Sequence, residues 1–365
     1  MRNHVASLLC AAALAACGSD SRSHGTTPVT SSTEPTEPTE PTPPQPVAPT
    51  PPPESVKPAE PLAPTYLHGK WVWYELESSA VDKSRAFWSE LLGWQIESSE
   101  TAGVKYELVK AGGKEIASIE PVEAKKGKSH WIPYVSVPDV DAAVKAVEEN
   151  KGKVVKAAQD VPQIGRFAVV TDPNGAVFAL FRNERSDDPD TKGPPQTGVF
   201  LWNELLTRHK KAHASSLAFY PAVIGYTTSQ MQIGEGKKKT PYDMLSFAEK
   251  ARAGVNAAKP ASMGGQWLPW VAVDDVDAIV AKVKTLKGKV VQQPFDLPTV
   301  GRAAVVADPT GAPLGVIKPL SPAEMKAAQD AKAAKDAGAA PEDGGAAPKT
   351  PPGKDKGAET GGMKK

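Results

Sequence analysis

The chain has 365 residues, with 43 basic and 42 acidic side chains and a formal net charge of +1. The two signs are interspersed and no basic stripe stands out, which argues against a nucleic-acid partner. Its two cysteines, Cys10 and Cys17, both lie near the start, so the body of the chain has no disulfide framework and no Cys metal ligand.

The N-terminus reads as an address. Arg2 and His4 precede an apolar or small run, Val5 to Ala16, too short to span a bilayer and of the length of a signal-peptide core. It ends in Leu14-Ala15-Ala16-Cys17-Gly18. This ending resembles the bacterial lipobox, which implies cleavage after residue 16 and a diacylglycerol on Cys17. Gly18, where an Asp would signal retention at the inner membrane, implies a place in the cell envelope at the outer membrane. Residues 17–66 carry Thr33-Glu34-Pro35 and its repeats, then Pro51-Pro52-Pro53. Such a segment has too little apolar surface to fold. In polyproline II form it would reach up to roughly 150 Å, a spacer between membrane and folded body.

An internal duplication follows. Trp73-Tyr74-Glu75-Leu76 recurs as Trp202-Asn203-Glu204-Leu205, and Phe87-Trp88 with Gly93-Trp94 as Phe219-Tyr220 with Gly225-Tyr226. From Tyr106 and Tyr242 onward a spacing of 136 residues holds: Trp131-Ile132-Pro133-Tyr134 matches Trp267-Leu268-Pro269-Trp270, and Asp172-Pro173 matches Asp308-Pro309. A period this long means duplicated domains rather than a solenoid. The units expected are 67–183 and 197–319, joined by a linker at 184–196 and followed by an Ala/Lys/Pro/Gly-rich tail at 320–365.

Each copy reads as βαβββ twice. In the first, a strand at Trp71 to Glu77 leads to a helix at about Asp82 to Leu92 and strands near Tyr106 and Ile116. A strand at Ile132 to Val137 then leads to a helix at Asp139 to Glu149 and strands near Val154, Phe167 and Phe178. Asp139 and Asp275 are natural N-caps. Gly152 and Gly288 are placed to end the helices, and the Asp-Pro-x-Gly segments to form hairpin turns. In the tail, Ser321-Pro322-Ala323-Glu324 is a capping box opening a short helix that stops near Gly338.

The order and repetition of these motifs resemble the vicinal oxygen chelate superfamily, which includes glyoxalase I, extradiol dioxygenases and bleomycin-resistance proteins. The nearest likeness is to its tandem glyoxalase-like members. The resemblance implies an α+β fold of two tandem domains, each pairing two βαβββ modules into a cupped sheet, with disordered tails at both ends. Metal-dependent members place His, Gln or Glu on strands facing the cup. Carried over, three such positions fall on Trp73, Ile132 and Ala179, and on Trp202, Leu268 and Gly315. None can coordinate a divalent metal. The fourth position, on the strand near Ser118, is left open. No metal site and no cofactor are expected.

Strand alternation gives an inward wall of Trp73, Glu75, Ile132, Tyr134, Ala179 and Phe181 in the first copy. The second copy has Trp202, Glu204, Leu268, Trp270, Gly315 and Ile317. Trp73, Tyr106, Tyr134, Phe181, Trp202, Tyr242 and Trp270 are candidate ligand-binding residues; plain core packing is the alternative. Glu75 and Glu204 are candidate general bases, because a carboxylate facing an apolar cavity has a raised pKa. The alternative for them is a structural ion pair with Arg166 and Arg302. His209 and His213 have helical zinc-pair spacing but no Glu between them, and read as surface histidines; His130 shares the strand face of Ile132. Three functions stay open: a module binding a small apolar or aromatic molecule, a metal-independent lyase or isomerase using a cup Glu, and a non-catalytic envelope scaffold. The partners expected are a small-molecule ligand and, through the anchor, a membrane. Protein partners are not indicated.

Overall fold

The computed structural model of the protein describes residues 65–101, 104–122, 128–191, 193–233 and 240–338. The expected signal segment, Cys17, the proline-rich segment to residue 64 and the tail beyond 338 lie outside the described residues. Among those described, no helix is long and apolar enough to cross a membrane.

The first module runs β1 (Trp71–Ser78), α1 (Val81–Leu92), β2 (Gln95–Thr101), β3 (Val104–Ala111) and β4 (Lys114–Pro121). The second runs β5 (His130–Ser136), α2 (Val140–Glu149), β6 (Lys153–Val161), β7 (Gly165–Thr171) and β8 (Val177–Asn183). The duplicate follows as β9 (Phe200–Thr207), α3 (Lys210–Ile224), β10 (Thr227–Ile233), β11 (Thr240–Phe247) and β12 (Lys250–Ala257). It closes with β13 (Gln266–Ala272), α4 (Val276–Thr285), β14 (Lys289–Leu297), β15 (Gly301–Ala307) and β16 (Pro313–Pro319), and helix α5 (Pro322–Gly338) ends the described chain. Each copy is one eight-stranded sheet, ordered β2-β3-β4-β1-β5-β8-β7-β6 and β10-β11-β12-β9-β13-β16-β15-β14. This is the α+β architecture of two tandem domains of paired βαβββ modules. Modules meet where β1 runs antiparallel to β5, and β9 to β13.

The local signals act largely as expected. Asp139 and Asp275 cap α2 and α4 by accepting from Ala142 N and Ala278 N. The capping box of α5 closes both ways, Glu324 N to Ser321 Oγ at 3.2 Å and Ser321 N to Glu324 Oε2 at 2.8 Å. One expectation is corrected. The left-handed residues after α2 and α4 are Lys151 and Lys287, not Gly152 and Gly288. Those glycines serve close approach instead: a Cβ on Gly152 would lie 2.5 Å from the Thr171 carbonyl oxygen, and one on Gly288 2.4 Å from the Phe87 ring.

One face of both sheets, with α1–α4, forms a single shared core, while the opposite faces form two separate clusters. The domains therefore pack back to back with the cups pointing away from the joint. The joint is reciprocal. Ser84 on α1 donates to Asp308 at 2.5 Å, and its counterpart Ser216 on α3 donates to Asp172 at 2.9 Å. Trp94 Nε1 donates to the Gly198 carbonyl at 2.8 Å, and Tyr226 OH to the Gly69 carbonyl at 2.6 Å. Trp71 packs on Trp267, and Phe200 on Trp131. On the pseudo-twofold axis the equivalent residues Tyr74 and Asn203 bond each other at 2.8 Å. This is the pattern of an isologous dimer interface, made within one chain.

The segment at 184–191 is fixed to this body. Asp187 Oδ2 accepts from Leu67 N at 2.7 Å and Ser136 Oγ at 2.6 Å, and Asp190 is paired with Arg252 and Lys250.

Asp172 accepts from Asn174 N, Ala176 N and Ser216 Oγ at 2.8–2.9 Å and is 2 % exposed. Asp172→Ala strands these donors. It is expected to cost about 2–4 kcal/mol in urea unfolding, and Ser216→Ala less.

Candidate functional site

The first cup is built on β1, β3, β4, β5, β6, β7 and β8. A bulge between Trp71 and Trp73 turns Trp71 into the shared core, leaving Trp73 and Glu75 on the concave face. Glu75 lies opposite Ile132, and Tyr134 beside Ala179. Trp73, Tyr106, Ile132, Tyr134, Ala179 and Phe181 gather there with Phe167, each at most 6 % exposed. Glu75 is fully buried and takes a short hydrogen bond from the Tyr134 hydroxyl on Oε2, while Oε1 has no partner. Burial pushes its carboxyl up, against the pull of Tyr134 and Lys156. Tyr106 turns its hydroxyl to Ser99 at 2.6 Å.

The second cup repeats this frame with other contents. Glu204 lies opposite Leu268 and Trp270 opposite Trp202. Asn256 Nδ2 donates to Glu204 Oε1 at 3.3 Å, and Trp202 Nε1 to the Tyr242 hydroxyl at 3.0 Å. Burial raises the Glu204 carboxyl to about 7, opposed by Asn256 and by the nearby Trp270 indole, whose N–H has no fully formed hydrogen bond. Two glycines make the room. A Cβ on Gly315 would sit 2.2 Å from the Trp270 ring, and one on Gly254 1.7 Å from the Tyr242 hydroxyl. Aromatic side chains thus fill the space over two strand positions of the cup.

The expected ion pairs of the glutamates are corrected. Arg166 binds Asp141 and Asp160, and Arg302 binds Asp277 and Asp296, all at 2.7–3.0 Å on the surface. The histidine reading is corrected in part. His209 caps α3 by accepting from Ala212 N at 3.1 Å. His213 is half-buried, held between Thr207 at 3.2 Å and Asp243 at 2.7 Å, and the two do not form a metal pair. His130 sits at the start of β5, its Nε2 3.9 Å from Glu77, and lines a cleft at the domain seam rather than the cup.

The positions that the family resemblance assigns to metal ligands carry Trp73, Ile132 and Ala179, and Trp202, Leu268 and Gly315. The parallel β1–β4 and β12–β9 registers set Ser118 beside Glu75 and Gly254 beside Glu204. Ser118 Oγ lies 3.4 Å from Trp73 Nε1. The side chains at the carried-over positions offer neither imidazole nor carboxylate, and among the described residues no three or more His, Cys, Asp or Glu are grouped so as to hold a metal ion. Sequence reasoning missed Ser118, Glu120, Lys156 and Phe167 in the first cup, and Asn256, Gln292, Phe295 and Ala303 in the second. Lys156 and Gln292 follow irregularities in β6 and β14, which hide their face from a period-2 reading. The 136-residue spacing was the available signal for the pairs.

A carboxyl raised on folding contributes stability that is complete below its unfolded pKa and is lost as pH rises through the folded value. For Glu204 the loss spans pH 4.5 to about 7 and amounts to roughly 3 kcal/mol. Glu204→Gln is expected to flatten this slope in urea titrations at pH 5 and pH 8 and to raise stability at pH 8.

Residues 72–180 match the family model described as Glyoxalase/Bleomycin resistance protein/Dioxygenase superfamily. The chain is 34% identical over 259 residues to the "Putative glyoxylase CFP32" of Mycobacterium tuberculosis (strain CDC 1551 / Oshkosh), covering 70% of this chain and 96% of that protein. It is 30% identical to the "Anthracycline biosynthesis protein DnrV" of Streptomyces peucetius, covering 68% and 93%. Among solved structures it is similar to the Mn(II)-bound glyoxalase from Novosphingobium aromaticivorans, with TM-score 0.46, 16% identity and coverage of 69% and 82%. With a relative this similar over nearly its whole length, the chain belongs to the glyoxalase/bleomycin resistance protein/dioxygenase superfamily.

Proposed function

We propose that this protein is a metal-free member of its family, lipid-anchored in the cell envelope through Cys17, that binds a small apolar or aromatic molecule in a cup. The observation that carries the reading is the exchange of metal ligands for aromatic surface, most plainly Trp270 lying over Gly315. A wall of aromatic side chains with one carboxylate suits capture of a small molecule by area and a single polar contact. The name of the Streptomyces relative, which places it in anthracycline biosynthesis, supports a small-molecule ligand. A second reading, a metal-independent lyase or isomerase, is favoured by Glu204. A carboxyl that titrates near neutrality is suited to general-base work next to a carbonyl.

Purified protein is expected to hold far less than one equivalent of metal, and EDTA is expected to leave its melting temperature unchanged. A panel of aromatic compounds should raise that temperature with saturable binding by calorimetry. Metal at one equivalent, or no ligand from the panel, would remove the binding reading. Turnover lost in both Glu75→Gln and Glu204→Gln would establish the second.

The anchor is tested separately. Cys17→Ser is expected to move the protein from the membrane fraction to the soluble one, and to abolish the acylated N-terminal peptide seen by mass spectrometry.

A further inference from the structure

The two cups share a frame, but their exposure and charge differ in ways that single one out. In the first, Phe167 and Phe181 fill the bowl and Ile164 closes it at 4 % exposure. The equivalent positions of the second are Ala303, Ile317 and Val300, and Val300 is 38 % exposed. Trp202, Tyr242 and Phe295 are only half-buried there, where Trp73 and Tyr106 are 6 % and 4 % exposed. The first cup is a packed core. The second presents aromatic surface to whatever enters.

Charge separates them further. Lys156 on β6 reaches over the Phe167 ring at 4.9 Å and pulls on Glu75. Its equivalent on β14, opposite Val305 as Lys156 is opposite Val169, is Gln292. Glu204 is faced by Tyr242 from β11, Asn256 from β12 and Trp270 from β13, and the β14 position equivalent to Lys156 is the neutral Gln292. Arg208 is tied to the Gly264 carbonyl at 2.9 Å, and among the described residues the groups that act on Glu204 are Asn256 and Trp270, besides burial itself, with no cation among them. A buried carboxylate left this way is costly to ionise, and a cation brought by a ligand would supply the missing charge. The surrounding indole, phenol and phenyl faces attract a cation as well.

Building on the binding reading, we infer that the second cup is the ligand site and that it selects a cationic aromatic amine over neutral or anionic molecules of the same shape. The aromatic ring takes the half-buried faces of Trp202, Tyr242 and Phe295, and the ammonium donates to the Glu204 carboxylate. Because ionised Glu204 is the form that attracts the ammonium, affinity rises with pH through neutrality.

The test is calorimetric titration of the full chain with 1-naphthylmethylammonium, 1-naphthalenemethanol and 1-naphthoate, which share one ring system and differ in charge. At pH 8 the ammonium is expected to bind about tenfold or more tighter than the alcohol, with naphthoate weakest, and the advantage should shrink at pH 5.5. Glu204→Gln should bring the ammonium down to the level of the alcohol. Gln292→Lys, which installs the cation of the first cup without touching Glu204, should do the same and narrow the deficit of naphthoate. Equal binding of ammonium and alcohol would overturn the charge selection while leaving the binding reading intact. Loss of the preference in Glu75→Gln but not in Glu204→Gln would move the site to the first cup and also overturn it. Failure of all three probes to bind would count against both.

Discussion

The reciprocal joint between the domains is the constraint on which the rest of the structure depends. Asp172 and Asp308 each close their own Asp-Pro turn and each take a serine hydroxyl from the other domain's helix. A carboxylate at 2 % exposure survives burial because every one of these donors is aimed at it. The same two places demand glycine, since the Phe87 and Phe219 rings press on Gly288 and Gly152. Bonds of this kind come in pairs by symmetry, so one local arrangement is used twice.

That joint consumes the apolar helix faces and the convex side of both sheets, and it decides where the remaining surface can lie. The concave faces point outward and contribute little to holding the domains together. They are therefore free to differ, and they do: Phe167 against Ala303, Lys156 against Gln292, Tyr134 against Trp270. Positions at the joint admit fewer exchanges, and where one occurs the contact persists in another form. Trp94 and Tyr226 illustrate this, each delivering a polar hydrogen to a glycine carbonyl across the boundary.

The fold was legible because several independent signals agreed on it. The Asp N-caps, the Asp-Pro-x-Gly turns and the spacing of the duplication each have a local physical cause, and none depends on distant partners. The wall positions on β1, β5 and β8 were legible for the same reason, since alternation holds through the central strands. The sequence does not mark strand β2: its residues Gln95–Thr101 are mostly polar and show no apolar alternation, although it pairs antiparallel with the next strand, β3. The partners of Glu75 and Glu204 were also hidden. Arg166 and Arg302 recur in both copies, which made them plausible, but helix-borne Asp141 and Asp277 lie closer to them in space than any cup residue. The misjudged histidine has a similar cause. His213 on α3 contacts Asp243 on strand β11, and no helical spacing discloses that.

Retaining a glutamate in each cup carries an argument of its own. A buried carboxyl destabilises the folded state above its unfolded pKa, and a Gln of nearly the same shape would avoid that cost. In the first cup the cost is partly offset by the Tyr134 hydroxyl and by Lys156, although Oε1 of Glu75 has no partner. In the second the offset is weak, a 3.3 Å bond from Asn256 and a nearby indole. The two glutamates are therefore not equivalent despite their identical place on the strand. One has a cation and a hydroxyl of its own domain beside it, whereas the other sits in a half-open aromatic bowl where, among the described residues, its partners are neutral.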